Sequence, residues 1–324
     1  MVDRLALERR QAWIYLAAIA LGLLAGSTWP RAGGYFEALI WPFLVLLLYV
    51  TFTQVPLLHV RDALRDRRFV ATVLIGNFLL VPALAWGLLQ LVPADPAIRL
   101  GVLLVLLVPC TDWFIAFTQL GQGDVPRAIA ATPLNLVLQL LLLPLYLWII
   151  LGPGLAATMS PPDVLPALAV VLVPLAAAIA SERWFESRPG RARARDRLAW
   201  LPIPLLAVVV LLVAGAQVHA VGEVVHLLPV LVPVFAAYLV VASLLARGLA
   251  RVARLPVEQG RTLAFSMGTR NSFVVLPVAL ALPGGEIVAV VIVTQSLVEL
   301  LGMVFYLWWV PRVLFAGRPE RARG

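Results

Sequence analysis

Residues 108 to 114 read Val-Pro-Cys-Thr-Asp-Trp-Phe (VPCTDWF) and interrupt an apolar run that extends over roughly 97–119. Proline removes a backbone donor and clashes with the preceding helical turn, so a helix through this run breaks at Pro109. The break also holds the chain's single cysteine, Cys110, and a carboxylate, Asp112. Irregular backbone at membrane depth survives only where protein or a water-filled cavity satisfies its polar groups. The surrounding sequence decides whether this is a broken membrane helix or a soluble loop.

The surroundings are apolar throughout. The chain has 324 residues, of which 62% are hydrophobic and 13% charged, with a mean hydropathy of +0.97. That much apolar surface requires an apolar solvent. A spanning helix takes about 20 mostly apolar residues, and ten such runs are present, at roughly 13–30, 38–59, 70–92, 97–119, 126–151, 164–182, 199–217, 225–246, 259–282 and 285–311. The expected fold is an all-α polytopic membrane protein with ten transmembrane helices, which excludes a soluble enzyme.

The net charge of +8 is topology. All 25 basic residues are arginines. If the N-terminus is cytoplasmic and ten spans alternate, 22 of the 25 fall on the cytoplasmic side, as the positive-inside rule requires. Arg31 and Arg99 fall outside, and Arg270 lies within a span. Both termini are then cytoplasmic. No aromatic-interleaved basic patch points to nucleic acid, and no GxxxxGK[ST] loop points to ATP. One cysteine allows no intramolecular disulfide. Arginine in place of lysine, with abundant alanine, points to a GC-rich bacterial genome, and the expected location is the bacterial inner membrane.

The hydrophilic stretch Ser181 to Asp196 (SERWFESRPGRARARD) divides the ten runs into five and five. An odd number per half makes repeated halves face opposite ways, the inverted-repeat plan of many secondary transporters. The polar residues repeat accordingly. Thr111 is followed after 24 and 28 positions by Asn135 and Gln139, and Asn271 after the same intervals by Gln295 and Glu299. Each later pair is spaced i, i+4 and shares a helix face. The second break is Gly268-Thr269-Arg270-Asn271-Ser272 (GTRNS), in the ninth run. Paired broken helices near mid-membrane mark a transport site.

Asp112, Arg270 and Glu299 lie near the centres of their spans, where each charge costs about 2.5–3.5 kcal/mol and three cost roughly 8–10. One reading pairs Asp112 with Arg270 in an internal salt bridge. Another, compatible with it, has a proton or cation compete with Arg270 for a carboxylate. Desolvation suits Glu299 to proton carriage. Cys110 reads alone as a small buried hydrophobe, but at a helix break it is a soft ligand for a metal or metalloid. Asn135, Gln139 and Gln295 either orient a solute or hydrogen-bond between helices. Thr51, Thr53 and Gln54 read as helix-internal. His59 falls at a cytoplasmic helix end, the pair His219 and His226 flanks an external loop and lacks a third ligand at metal-binding spacing, and no metal or other cofactor is expected. Most tryptophans sit near span ends as interface anchors; Trp113, beside the break, does not.

The stretch Cys110 to Asp124 (CTDWFIAFTQLGQGD), with its Gly123-Asp124 pair fourteen positions after the cysteine, resembles the fourth-span signature of the arsenical-resistance permeases in the bile acid:sodium symporter superfamily. Asn77 to Pro82 (NFLLVP), Asn271-Ser272-Phe273 and Leu297-Val298-Glu299 are similar to other segments of those permeases. The resemblance implies a core domain with two crossing broken helices (65–152 and 225–315) and a panel domain (1–60 and 164–218). Linearly, 1–182 holds the first repeat and the start of the second, 183–198 is a basic loop, and 199–324 holds the remaining spans. It further implies arsenite efflux in exchange for protons, with Cys110 binding arsenic and Glu299 coupling. Three positions depart from those permeases: Pro109 stands where they usually have arginine, Phe117 where they have tryptophan, and Val274 where they have a second glutamate. GTRNS is closer to the Gly-x-Gln-Asn-Ser of the sodium-coupled branch, with Arg270 replacing the sodium-liganding glutamine, and a fixed positive charge there opposes sodium. An arginine moved from the fourth span to the ninth would lie within reach of Cys110.

The expected function is therefore efflux of arsenite or a related metalloid by proton antiport. Substrate contacts fall to Cys110, Thr111, Asn135, Arg270, Asn271 and Ser272, and coupling to Asp112 and Glu299. Gln139, Gln295, Trp113 and Phe117 are supporting residues. The alternative is a sodium- or proton-coupled uptake symporter for an organic anion, with Arg270 on the substrate carboxylate. A channel or a receptor needs no duplicated polar break.

Overall fold

The computed structural model describes residues 4–55, 66–111, 113–151, 161–187, 197–218, 222, 225–280, 282 and 285–317. Asp112, His59, His219 and most of the basic loop after Arg183 lie outside these residues. The described chain is helical, and its one ladder contact is an isolated bridge between Pro109 and Arg270.

Among the described residues, apart from a 3-10 turn at Pro30–Ala32, twelve helices follow in order: α1 (Arg4–Thr28), α2 (Gly33–Phe52), α3 (Arg67–Leu89), α4 (Pro96–Leu107), α5 (Trp113–Leu120), α6 (Val125–Leu151), α7 (Pro161–Glu186), α8 (Pro202–Ala216), α9 (Leu228–Val252), α10 (Val257–Gly268), α11 (Ser272–Leu280) and α12 (Gly285–Leu314). Five helices among the described residues are long and apolar enough to cross a membrane: α2, α3, the Val125–Leu143 part of α6, α9 and α12. The fourth and ninth apolar runs are each divided, into α4 with α5 and α10 with α11.

Local chemistry sets the ends of the divided runs. Asp95 caps α4 by accepting from the Ala97 and Ile98 N–H groups at 2.9 and 3.0 Å, with Pro96 at the first helical position. Pro109 then disfavours helical backbone at Val108, which takes φ −108° and ψ 106°. In the other half Thr269 is extended at ψ 139° directly after Gly268. The glycine is required by contact, because a Cβ there would lie 2.6 Å from the Tyr306 ring.

Two groups of helices pack side by side. In one, α8 lies against α1 and α2, and α7 against α2. Gly22 and Gly26 let α1 approach so closely that added Cβ atoms would lie 2.3 and 2.2 Å from the Leu211 and Gly215 carbonyl oxygens. The other group is built on α12, which packs on α4, α9 and α11, with α3, α5, α6 and α10 around it. The groups meet where α1 touches α12 and where α2 and α7 touch α11. There Tyr15 of α1 stacks on Trp113 of α5, ring centroids 6.0 Å apart and planes 11° from parallel.

On the side of the molecule bearing Asp66 and Asp124, polar contacts join the second group. Asp66 caps α3 through the Phe69 N–H and accepts from Arg127 Nε at 2.7 Å. Asp124 also binds Arg127, and its N–H donates to Thr262 Oγ1 at 2.7 Å. Gly123 fits only without a side chain, since a Cβ would meet Thr118 and Thr262 within 2.8 Å. The buried Arg261 donates to the carbonyls of Gln122, Phe315 and Gly317, joining α10 to the α5–α6 turn and the end of α12.

Candidate transport site

The two breaks cross. The Cys110 N–H donates to the Thr269 carbonyl at 3.1 Å, and the Asn271 N–H donates to the Val108 carbonyl at 2.8 Å. This antiparallel pairing sets Arg270 opposite Pro109 and beside Cys110. Each break thereby supplies backbone partners that the other lacks, which is what buried backbone polar groups require. Side chains add to it: Asn271 Nδ2 donates to Thr111 Oγ1 at 3.2 Å, and Asn271 Oδ1 accepts from the Val274 N–H at 3.3 Å.

Glu299 reaches the crossing from α12. Its Oε2 accepts from the Arg270 backbone N–H at 2.9 Å and from Gln295 Nε2 at 2.8 Å, with both side chains about 1% exposed. Ser272 donates to Gln295 Oε1 at 3.4 Å and accepts from Ser296 Oγ at 2.6 Å. The N-terminus of α11 begins at Ser272, so its positive end lies beside this carboxylate.

Cys110 is buried, in a small apolar cluster with Phe114 and Ala128 against which Trp113 and Ile115 pack. Phe117 lies in the main apolar core. Asn135 and Gln139 are buried on α6, yet neither amide has a hydrogen-bond partner among the described residues. The two pairs matched by spacing thus differ: Gln295 and Glu299 bond to each other, whereas Asn135 and Gln139 do not. Thr53 and Gln54 hydrogen-bond within the end of α2.

The guanidinium of Arg270, only 2% exposed, donates to Asn77 Oδ1 and to three main-chain carbonyls, and it lies 5.7 Å from the centroid of the Tyr238 ring. Asn77 and Tyr238 were not among the residues expected at the site. Asn77 is carried by a π-helical turn over Gly76–Leu80, a device that re-aims side chains and is frequent at functional sites. The signals in the sequence are an asparagine within an apolar run and the similarity of the NFLLVP segment that it opens.

Two apolar spaces lie next to the crossing. A narrow cleft of about 20 Å³ between the two helix groups is lined by Tyr15, Trp113, Ser272, Ser296 and apolar side chains. It shares Ile19, Val293 and Leu297 with a groove of about 420 Å³ between α1, α8, α9 and α12. A third cavity, of about 260 Å³, has Glu37 and Glu286 in its wall. Among the described residues no cluster of three or more His, Cys, Asp or Glu side chains could hold a metal ion.

No curated protein matches the chain. The model of the Sodium Bile acid symporter family matches residues 41–224, more than half of the sequence. With its apolar helices and crossed breaks, the chain is a multi-pass membrane protein and belongs to the sodium bile acid symporter family, whose members are transporters and not enzymes.

Proposed function

We propose that the chain exports arsenite or a related metalloid by proton antiport. In this reading ten spans form two inverted five-helix repeats in a bacterial inner membrane, with both termini cytoplasmic. The group of α1, α2, α7 and α8 is the panel, and the remaining helices are the core. The observation that carries it is the shared position of Cys110 and Glu299: the backbone of the only thiol is held by Thr269, and the buried carboxylate is held by the next residue, Arg270. Sulfur selects soft metalloids, and a desolvated carboxylate takes up and releases protons. Thr111, Asn135, Asn271 and Ser272 supply neutral donors and acceptors to a solute such as uncharged arsenite, with Gln139, Gln295, Trp113 and Phe117 in support. Asp112 is a second coupling candidate.

The organic-anion reading is favoured by the family and by the apolar groove. Two observations weigh against it. The Arg270 guanidinium is already engaged by Asn77 and three carbonyls, and carboxylates line the cavity at Glu37 and Glu286. Arsenite accumulation in everted membrane vesicles tests the two readings, with wild type beside Cys110→Ser under a proton gradient and then a sodium gradient. Proton-driven accumulation that disappears with the serine supports metalloid export. Absence of accumulation by the wild type sinks it and returns the search to organic anions under sodium.

A further inference from the structure

Away from the crossing, the cavity of about 260 Å³ is built by both helix groups. Glu37, Ile40 and Trp41 come from α2, and Gln217 from the end of α8, in one group. Leu282 and the first turn of α12, with Glu286, come from the other. Two carboxylates thus face one space from opposite groups, and among the described residues its wall holds no basic side chain.

Gln217 marks the space as a site. It is only 5% exposed, and its main-chain N–H donates to the Val213 carbonyl at 2.9 Å, yet among the described residues its side-chain amide has no hydrogen-bond partner. A buried amide normally has one, and leaving it without costs its desolvation. Glu37 and Glu286 are exposed and form no ion pair among the described residues. Glu286 complements the positive end of α12, but that contact explains neither Glu37 nor the idle amide.

The wall indicates what would fill it. A calcium ion takes about 6–8 oxygen ligands drawn close around it, whereas two carboxylates and one amide offer fewer side-chain oxygens, set in a wider space among apolar groups. An ammonium group instead donates hydrogen bonds to carboxylate and amide oxygens, and a tryptophan ring attracts a cation over its face. We propose that the cavity binds a small organic diammonium ion, with one ammonium at Glu37 and the other at Glu286. Its methylene chain lies along Ile40, Trp41 and Leu282, and the Gln217 amide oxygen accepts from one ammonium. A ligand held by both groups favours the arrangement seen here over any in which they separate. The inference does not depend on which solute is carried.

The test uses purified full-length protein in detergent, as wild type, Glu37→Gln, Glu286→Gln, Gln217→Met and the double carboxamide variant. Melting midpoints and calorimetric titrations are measured with diaminopropane, diaminobutane, diaminopentane and diaminohexane carrying terminal amines, beside butylamine and magnesium chloride at matched ionic strength. The wild type is expected to show a saturable rise in midpoint and binding that peaks at one chain length and exceeds that of butylamine. Affinity for the best diamine is expected to fall about threefold or more in each single variant and to vanish in the double variant. Glu37 and Glu286 are exposed, so their carboxamide variants fold as the wild type does. The proposal is overturned if no diamine is bound, if butylamine matches the best diamine, if magnesium gives the same rise and the variants lose it, or if the double variant binds as the wild type does.

Discussion

Glu299→Gln separates coupling from folding, because the structure bounds its cost. The carboxylate is buried, with Oε2 accepting from the Arg270 N–H at 2.9 Å and from Gln295 Nε2 at 2.8 Å. Hydrogen bonds to charged groups contribute about 1.5–3 kcal/mol, against about 1 kcal/mol for neutral ones. Replacing carboxylate by amide carbonyl therefore weakens two bonds by about 0.5–2 kcal/mol each. The neutral amide also removes the desolvation cost of a buried charge, so the net destabilisation stays below about 4 kcal/mol. Glu299→Ala is worse: it leaves both donors without their acceptor, at about 1–3 kcal/mol each, and opens a cavity. The glutamine variant is expected to be recovered folded and the alanine variant poorly. In everted vesicles the glutamine variant is expected to lose arsenite accumulation under a pH gradient while retaining arsenite counterflow without one. Retained proton-driven accumulation would refute the assignment of Glu299 to coupling. Loss of both activities would move it to solute binding.

Gly22→Val is expected to cost about 3 kcal/mol or more, because its Cβ would overlap the Leu211 carbonyl; size-exclusion profiles should lose the monodisperse peak, while Gly33→Val, with nothing within 4 Å, keeps it. Tyr238→Phe keeps the ring near Arg270 but removes the donor to the Met267 carbonyl, and should lower stability by about 1 kcal/mol, measured by thermal melting. Partial burial opposes the Asp66 charge, but the Arg127 and Phe69 N–H hydrogen bonds and the nearby guanidinium groups outweigh it and hold the carboxyl below its ordinary range. A lowered folded value means stability that is present above the unfolded value of about 3.9 and lost as pH falls through the folded one; Asp66→Asn should flatten the fall in melting midpoint below about pH 4.

The breaks were legible because their causes are local. Pro109 extends Val108, and Gly268 precedes the extended Thr269, so both interruptions can be read from composition in an apolar run. The meeting of the breaks was legible only as symmetry and through the resemblance, since the bonds that join them are between main-chain atoms, which have no sequence signature. The same reason hid the surroundings of Arg270: three of its four acceptors are carbonyls, and the fourth, Asn77, is turned inward by a π-helical turn that an apolar sequence does not announce. The spacing that matched Asn135 and Gln139 to Gln295 and Glu299 identified buried polar pairs on α6 and α12. It did not distinguish the pair that finds partners from the pair that does not, because that depends on what packs opposite.

The crossing also sets a schedule for biogenesis. The Val108 carbonyl and the Cys110 N–H are satisfied by Asn271 and Thr269, which are synthesised roughly 160 residues later. At about 5–20 residues per second, the first break waits on the order of 10–30 s in the membrane before its backbone partners emerge. During that interval lipid headgroups, water or the insertion machinery must hold it. Neither half of the chain is then a complete folding unit, and the two halves made as separate polypeptides should persist only when produced together.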